Sequence, residues 1–301
     1  MSRLTLLAVH AHPDDETIGM GGTMARYAAE GLRVLCVTGT YGENGEIVVP
    51  ELDTPENHAR LGEIRQGEIG RALARLGPVE HHWLGYRDSG MAGTPENDDA
   101  RSFWQADLDE AVGRLVRIVR DARPHVITGY NDFGGYGHPD HIRAAQVAKA
   151  AFARAADPRA YPEQLAEGLR PWAPLKLYEQ TIDISRREDP EILGLLRERG
   201  ISTPWMPRED ESDEERQGRE AWLGRMAEAR GPITTRVEVG AYAEAKLAAM
   251  REHVTQIAEG SWFVAFSADE MRRFQPTEDY TLRESRLPIR LPEDDLFAGL
   301  R

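Results

Sequence analysis

The chain has 301 residues, with 51 acidic against 37 basic side chains for a formal net charge of −14, and 41% of its residues are hydrophobic. That composition excludes a disordered chain and argues against a nucleic-acid partner, because no basic tract stands out from the acidic background. The single cysteine, Cys36, excludes an internal disulfide and a multi-thiolate metal centre.

Residues 4–9 form an apolar run, too short for a signal peptide or a membrane span, and read as a strand. Helical spacing over 19–30 ends at Gly31, and 33–40 reads as the next strand. A helix is predicted from about 57 to 76, with Ile64, Ile69, Leu73 and Leu76 on one stripe and Gly77 as its stop. A short strand at 82–85, a helix at 103–122, a strand at 125–130, a helix at 139–156 and a strand at 175–184 complete the series. Strands alternating with helices imply βαβ units. The expected fold is therefore α/β, a Rossmann-like mostly parallel sheet with helices on both faces.

That unit is expected to occupy residues 1–185, with 186–301 as a smaller α+β cap packed on the sheet. In the cap, 189–198 looks helical, and 209–215 carries six acids in seven positions, the pattern of a solvated loop or helix face. A strand is expected at 233–239, a helix at 241–257 and a short strand at 262–266. Of the 37 basic residues only Lys149, Lys176 and Lys246 are lysines.

The chemistry concentrates in two loops. His12-Pro13-Asp14-Asp15-Glu16 follows the first strand, at the carboxyl edge where open α/β sheets build their sites. It offers one imidazole and up to two carboxylate ligands. A catalytic zinc takes three N or O ligands at roughly 2.0–2.2 Å and leaves one position to water. The third ligand must come from another loop at that edge. Gly134-Gly135-Tyr136-Gly137-His138-Pro139-Asp140-His141 follows the 125–130 strand, and Pro139 suits a first helical turn from which His141 projects toward the edge. The glycines allow a close backbone approach. Blander roles compete. One of Asp14 and Asp15 is enough to cap the helix, and Glu16 suits the helix start better than a metal. His10 reads as a satisfied, partly buried strand residue, and His58, His81, His82 and His125 as structural.

Together, Ala11–Glu16 and 134–141 resemble the LmbE-like (PIG-L type) zinc N-deacetylase family. Arg65, Arg87-Asp88-Ser89-Gly90-Met91, His253-Val254-Thr255-Gln256 and the tail 293–300 extend the resemblance nearly end to end. It implies hydrolysis of an amide, not a peptide bond, on glucosamine nitrogen. His12, Asp15 and His141 become the metal ligands and Asp14 the general base. His138 becomes a general acid or oxyanion stabiliser, Tyr136 reaches the carbonyl oxygen, and Arg65 and Asp88 contact the sugar. The metal is zinc, with iron(II) suited to the same ligands.

The implied function is deacetylation of an N-acetylglucosaminyl compound of the inositol type, with a mycothiol-type S-conjugate amidase as the alternative. Tyr136-Gly137-His138 and Gly19 resemble the deacetylase, since the amidases carry proline and lysine there. The tail, 262–266 and 276–280 resemble the amidase. A non-catalytic zinc protein is a distant third. A nucleotide-binding Gly-x-Gly-x-x-Gly and a Gly-x-Ser-x-Gly nucleophile turn are both missing from the sequence. The expected partner is a small amino-sugar or thiol-conjugate substrate in the cytoplasm, with no nucleic acid and no membrane, and a homo-oligomer stays open.

Overall fold

The computed structural model describes residues 3–301 apart from Ile182, Ile184, Ser185, Arg187, Glu188 and Glu209. The first part runs β1 (Thr5–His10), α1 (Asp15–Ala29), β2 (Arg33–Thr40), α2 (Pro55–Ala59), α3 (Leu61–Leu76) and β3 (Val79–Tyr86). It continues with α4 (Leu108–Ala122), β4 (Val126–Gly129), α5 (Pro139–Arg154), α6 (Pro162–Ala166) and β5 (Lys176–Thr181). After these come α7 (Pro190–Glu198), α8 (Asp213–Ala229), β6 (Thr235–Glu238), α9 (Ala243–Met250), α10 (Ala268–Phe274) and β7 (Thr277–Ser285).

The strands form one seven-stranded sheet in the order β3-β2-β1-β4-β5-β7-β6. The first five are parallel, and β7 and β6 extend the edge antiparallel. Strand order reverses between β1 and β4, and the crevice outside the carboxyl ends of such a pair is where ligands bind in open α/β sheets.

Alternation along β1 builds both faces of the core. Leu7, Val9 and Ala11 pack with α4 and α5, while Leu6 and Ala8 pack with α1 and α3. Helix α4 places Ala111, Val112, Leu115, Val116, Val119 and Ala122 on one buried stripe.

Helix α1 is interrupted at Met20, whose φ of −149° is not helical. The freed N–H groups of Gly22 and Thr23 donate to the Glu278 carboxylate at 2.9 and 2.7 Å, and Lys246 Nζ donates to the same carboxylate at 2.6 Å. One buried carboxylate therefore ties β7 and α9 to α1. The other two lysines are equally committed: Lys176 to Glu293 at 2.6 Å and Lys149 to Glu179 at 2.8 Å. Near the C-terminus, Phe297 is fully buried edge-on against Tyr27, worth about 1.5–3 kcal/mol of burial.

Several boundaries differ from expectation. The 57–76 helix is two helices, because Arg60 is non-helical (φ −120°, ψ 11°). The 103–122 helix starts only at Leu108, where the Asp107 side chain accepts the Glu110 N–H as cap. The 241–257 helix stops at Met250. The expected strand at 262–266 is a 3-10 turn at Trp262–Val264, capped by Ser261 Oγ accepting from the Phe263 N–H at 3.3 Å. A short apolar run does not distinguish these outcomes by period. Within the acidic run, Ser212 and Glu215 form a capping box that opens the exposed α8, and Glu209 lies outside the described residues. Strand β5 ends at Thr181, and Ile182 and Ile184 of the expected strand also lie outside. Among the described residues no helix is long and apolar enough to cross a membrane.

Candidate metal centre

The loop after β1 turns back on itself because Asp15 Oδ2 accepts the backbone N–H of His12 at 2.8 Å. The same oxygen lies 3.5 Å from His12 Nδ1 and 3.3 Å from His141 Nε2. A tetrahedral centre with bonds of 2.0–2.2 Å needs donor–donor edges of about 3.3–3.6 Å. Two of the three edges therefore already have the spacing of a first coordination shell, and all three donors lie within 4.8 Å of one another.

Glycine brings His141 into place. Gly134 has a φ of 65°, and a Cβ there would come within 2.6 Å of His141 Cβ, so only glycine lets the loop pass this close to the first turn of α5.

The other ring nitrogen of His12 is held by a residue to which the sequence reading gave no role. Asp140 Oδ2 sits 3.1 Å from His12 Nε2, and Ser89 secures Asp140 through its N–H at 2.9 Å and through a short Oγ–Oδ1 contact. A ligating histidine whose second N–H meets a buried carboxylate is fixed in tautomer and made more basic. The signal was present in the sequence, as a carboxylate two residues after one histidine and directly before another. The Asp140→Asn variant is expected to bind its metal about 10–100-fold more weakly. Competition against a chromophoric chelator reads this directly, and unchanged affinity would remove Asp140 from the site.

Asp88 Oδ1 adds a third carboxylate 3.7 Å from His12 Nε2. Burial opposes a charge on His12, but Asp88, Asp140 and Asp15 together raise its pKa well above the ordinary value. For Asp15 burial pushes upward, yet the neighbouring His141 and His12 hold it well below the usual carboxylate range. A buried cluster in which several carboxylates converge on two imidazoles suits a divalent cation.

Asp14 stands outside this donor set. Its Oδ2 accepts from Arg65 Nη2 at 3.1 Å, and burial raises its carboxyl to about 6, with Arg65 pulling the other way. Arg65 is itself buried, donating to Gly42 O at 2.7 Å and Pro13 O at 2.5 Å. The backbone of Asp14 has φ 128° and ψ −35°, a conformation that costs a non-glycine residue about 1–3 kcal/mol. Neither aspartate side chain caps α1: Asp14 occupies the N-cap position without a side-chain cap bond, and Asp15 Oδ2 accepts the His12 N–H instead.

His138 is the N-cap of α5, and its Nδ1 accepts the Asp140 N–H at 3.1 Å. Burial, then His12 and His141, push its pKa far down, which favours the neutral ring, and acceptance at Nδ1 leaves Nε2 to carry the proton. Tyr136 is 37% exposed, with Oη 3.5 Å from His141 Nε2. Its carbonyl accepts from Trp222 Nε1 on α8 at 2.9 Å.

Elsewhere, His10 is fully buried with neither ring nitrogen hydrogen-bonded, so the reading of a satisfied, partly buried residue fails. His58, His81 and His125 pair with Asp53, Thr38 and the Thr5 N–H.

Residues 7–152 match the family described as PIG-L, GlcNAc-PI de-N-acetylase. A Geodermatophilus obscurus protein named 1D-myo-inositol 2-acetamido-2-deoxy-alpha-D-glucopyranoside deacetylase is 44% identical, covering 98% of this chain and 97% of its own. Among solved structures, N,N'-diacetylchitobiose deacetylase from Pyrococcus horikoshii superposes with a TM-score of 0.62 at 20% identity, over 93% of this chain and 84% of its own. GalB, a 4-carboxy-2-hydroxymuconate hydratase from Pseudomonas putida, reaches 0.59 at 17% identity, over 95% of this chain and 98% of its own. Fold alone therefore does not fix the reaction.

Proposed function

Because this chain belongs to the PIG-L family of N-deacetylases, we propose that it removes the acetyl group from the nitrogen of an N-acetylglucosaminyl compound of the inositol type. The arrangement that carries the reaction is Asp14, held by Arg65, beside a trio of His12, Asp15 and His141 with the spacing of a metal's first shell. The substrate class rests on the relative that matches 98% of the chain.

In this reading His12 Nδ1, an Asp15 carboxylate oxygen and His141 Nε2 hold zinc, and iron(II) suits the same donors. When bound, the ion polarises the amide carbonyl and brings the pKa of a water toward about 7. Asp14 would take the proton from the attacking water as the water oxygen adds to the carbonyl carbon. His138 Nε2–H and Tyr136 Oη–H donate to the developing oxyanion.

Acceptance of the Asp140 N–H at His138 Nδ1 leaves Nε2–H as the donor, and burial disfavours the doubly protonated ring a general acid needs, which supports the stabilising role. Asp14, protonated in the first step, then returns the proton to the leaving nitrogen as the carbon–nitrogen bond breaks. Acetate and a primary amine result. In this reading Asp88, whose Oδ1 lies 3.7 Å from His12 Nε2, contacts the sugar.

Mass spectrometry of zinc-loaded protein tests the reading, with N-acetylglucosaminyl-inositol and a mycothiol S-conjugate run side by side. Acetate and glucosaminyl-inositol from the first substrate are expected. Cleavage of the conjugate alone, or of neither while zinc stays bound, overturns the substrate assignment.

A further inference from the structure

Asp14 adopts a backbone conformation that a non-glycine residue leaves unless something holds it (φ 128°). Its carboxylate is held by Arg65. Its backbone is held separately, because Glu16 Oε2 accepts the Asp14 N–H at 2.9 Å. The other oxygen of Glu16 meets His253 Nε2 at 2.8 Å, and both side chains are completely excluded from solvent. An acidic residue in a first helical turn gains its dipole interaction without burial, so dipole stabilisation alone accounts for neither the burial nor the partner.

That partner arrives from the turn after α9, which is itself fixed. Glu68 accepts from the N–H and hydroxyl of Thr255, both at 2.8 Å, and the Gln256 and Ile257 N–H groups return to the His253 carbonyl. Glu68 lies three residues after Arg65 on α3, hence on the same helix face. One face of α3 thus grips the Asp14 carboxylate directly, and the Asp14 backbone through Thr255, His253 and Glu16.

We propose that His253 and Glu16 are positioning residues that hold Asp14 in the conformation from which its carboxylate reaches the attacking water. The inference rests on Asp14 being the base, and the test separates the two. His253→Leu removes the donor to Glu16; His253→Gln returns one at similar reach. A reacting group displaced by about 1 Å loses roughly 100-fold in rate. His253→Leu is therefore expected to lose about 100-fold in kcat, with KM and bound metal little changed, and His253→Gln to recover most of the loss.

The decisive arm repeats both substitutions in an Asp14→Ala background, where neither should lower the residual rate further. Equal losses with and without Asp14 would mark His253 as merely structural and overturn the proposal. So would a His253→Leu variant as active as the parent. If Asp14→Ala alone keeps full activity, the base assignment fails instead, and the positioning role fails with it. Should His253→Leu not fold, the isosteric Glu16→Gln takes its place in the same cycle, with a kcat loss expected only while Asp14 is present.

Discussion

Replacing Asp14 with alanine is expected to lower turnover by about 10²–10⁴-fold, the usual worth of a positioned base, while metal content stays at the parental level. The two readouts separate because Asp14 Oδ2 pairs with Arg65 rather than joining the donors around Asp15. Asp14→Asn is the companion variant, since it keeps the size and a residue type tolerant of positive φ while removing the proton acceptor. Both leave the buried Arg65 without its carboxylate, so thermal unfolding is recorded alongside to separate lost chemistry from lost structure. Near-parental kcat in Asp14→Asn, with the protein folded, would sink the base assignment.

His141→Ala is expected to fail differently, by losing the metal. It removes one of three donors, so affinity should fall by more than the roughly 10–100-fold assigned to outer-shell partners such as Asp140. Elemental analysis after dialysis measures occupancy directly. Thermal unfolding gives a second readout, because an ion that binds only the folded chain stabilises it by RT ln(1 + [L]/Kd). Added zinc should raise the midpoint of the parent protein and leave that of His141→Ala unmoved. A variant that kept stoichiometric zinc would take His141 out of the ligand set.

These residues were legible in the sequence because each lies in the loop or first helical turn that follows a predicted strand. A parallel sheet then brings the ends of β1 and β4 together without any knowledge of side-chain contacts. Asp140 was visible but unassigned, since only the fold shows which ring nitrogen of His12 faces it. The engagement of Arg65 with Pro13, Gly42 and Asp14 depends on the α3 register, which no local pattern encodes. His253 lies 237 residues from the Glu16 it grips, a long-range contact that periodicity cannot carry. The misread segment at 262–266 failed for the opposite reason: Ser261 decides it locally, against the apolar run.

The scarcity of lysine has a practical consequence for following the reaction. Lys176 is fully buried, Lys246 nearly so, and Lys149 is held between Asp132 and Glu179. An amine-reactive fluorogenic dye therefore finds little on the folded chain besides its terminal amino group. Deacetylation liberates a primary amine with each turnover, so product signal rises over an almost silent protein background. Enzyme can then be added at concentrations that would swamp such a dye with a lysine-rich catalyst, which brings the slowest variants within reach of a direct measurement.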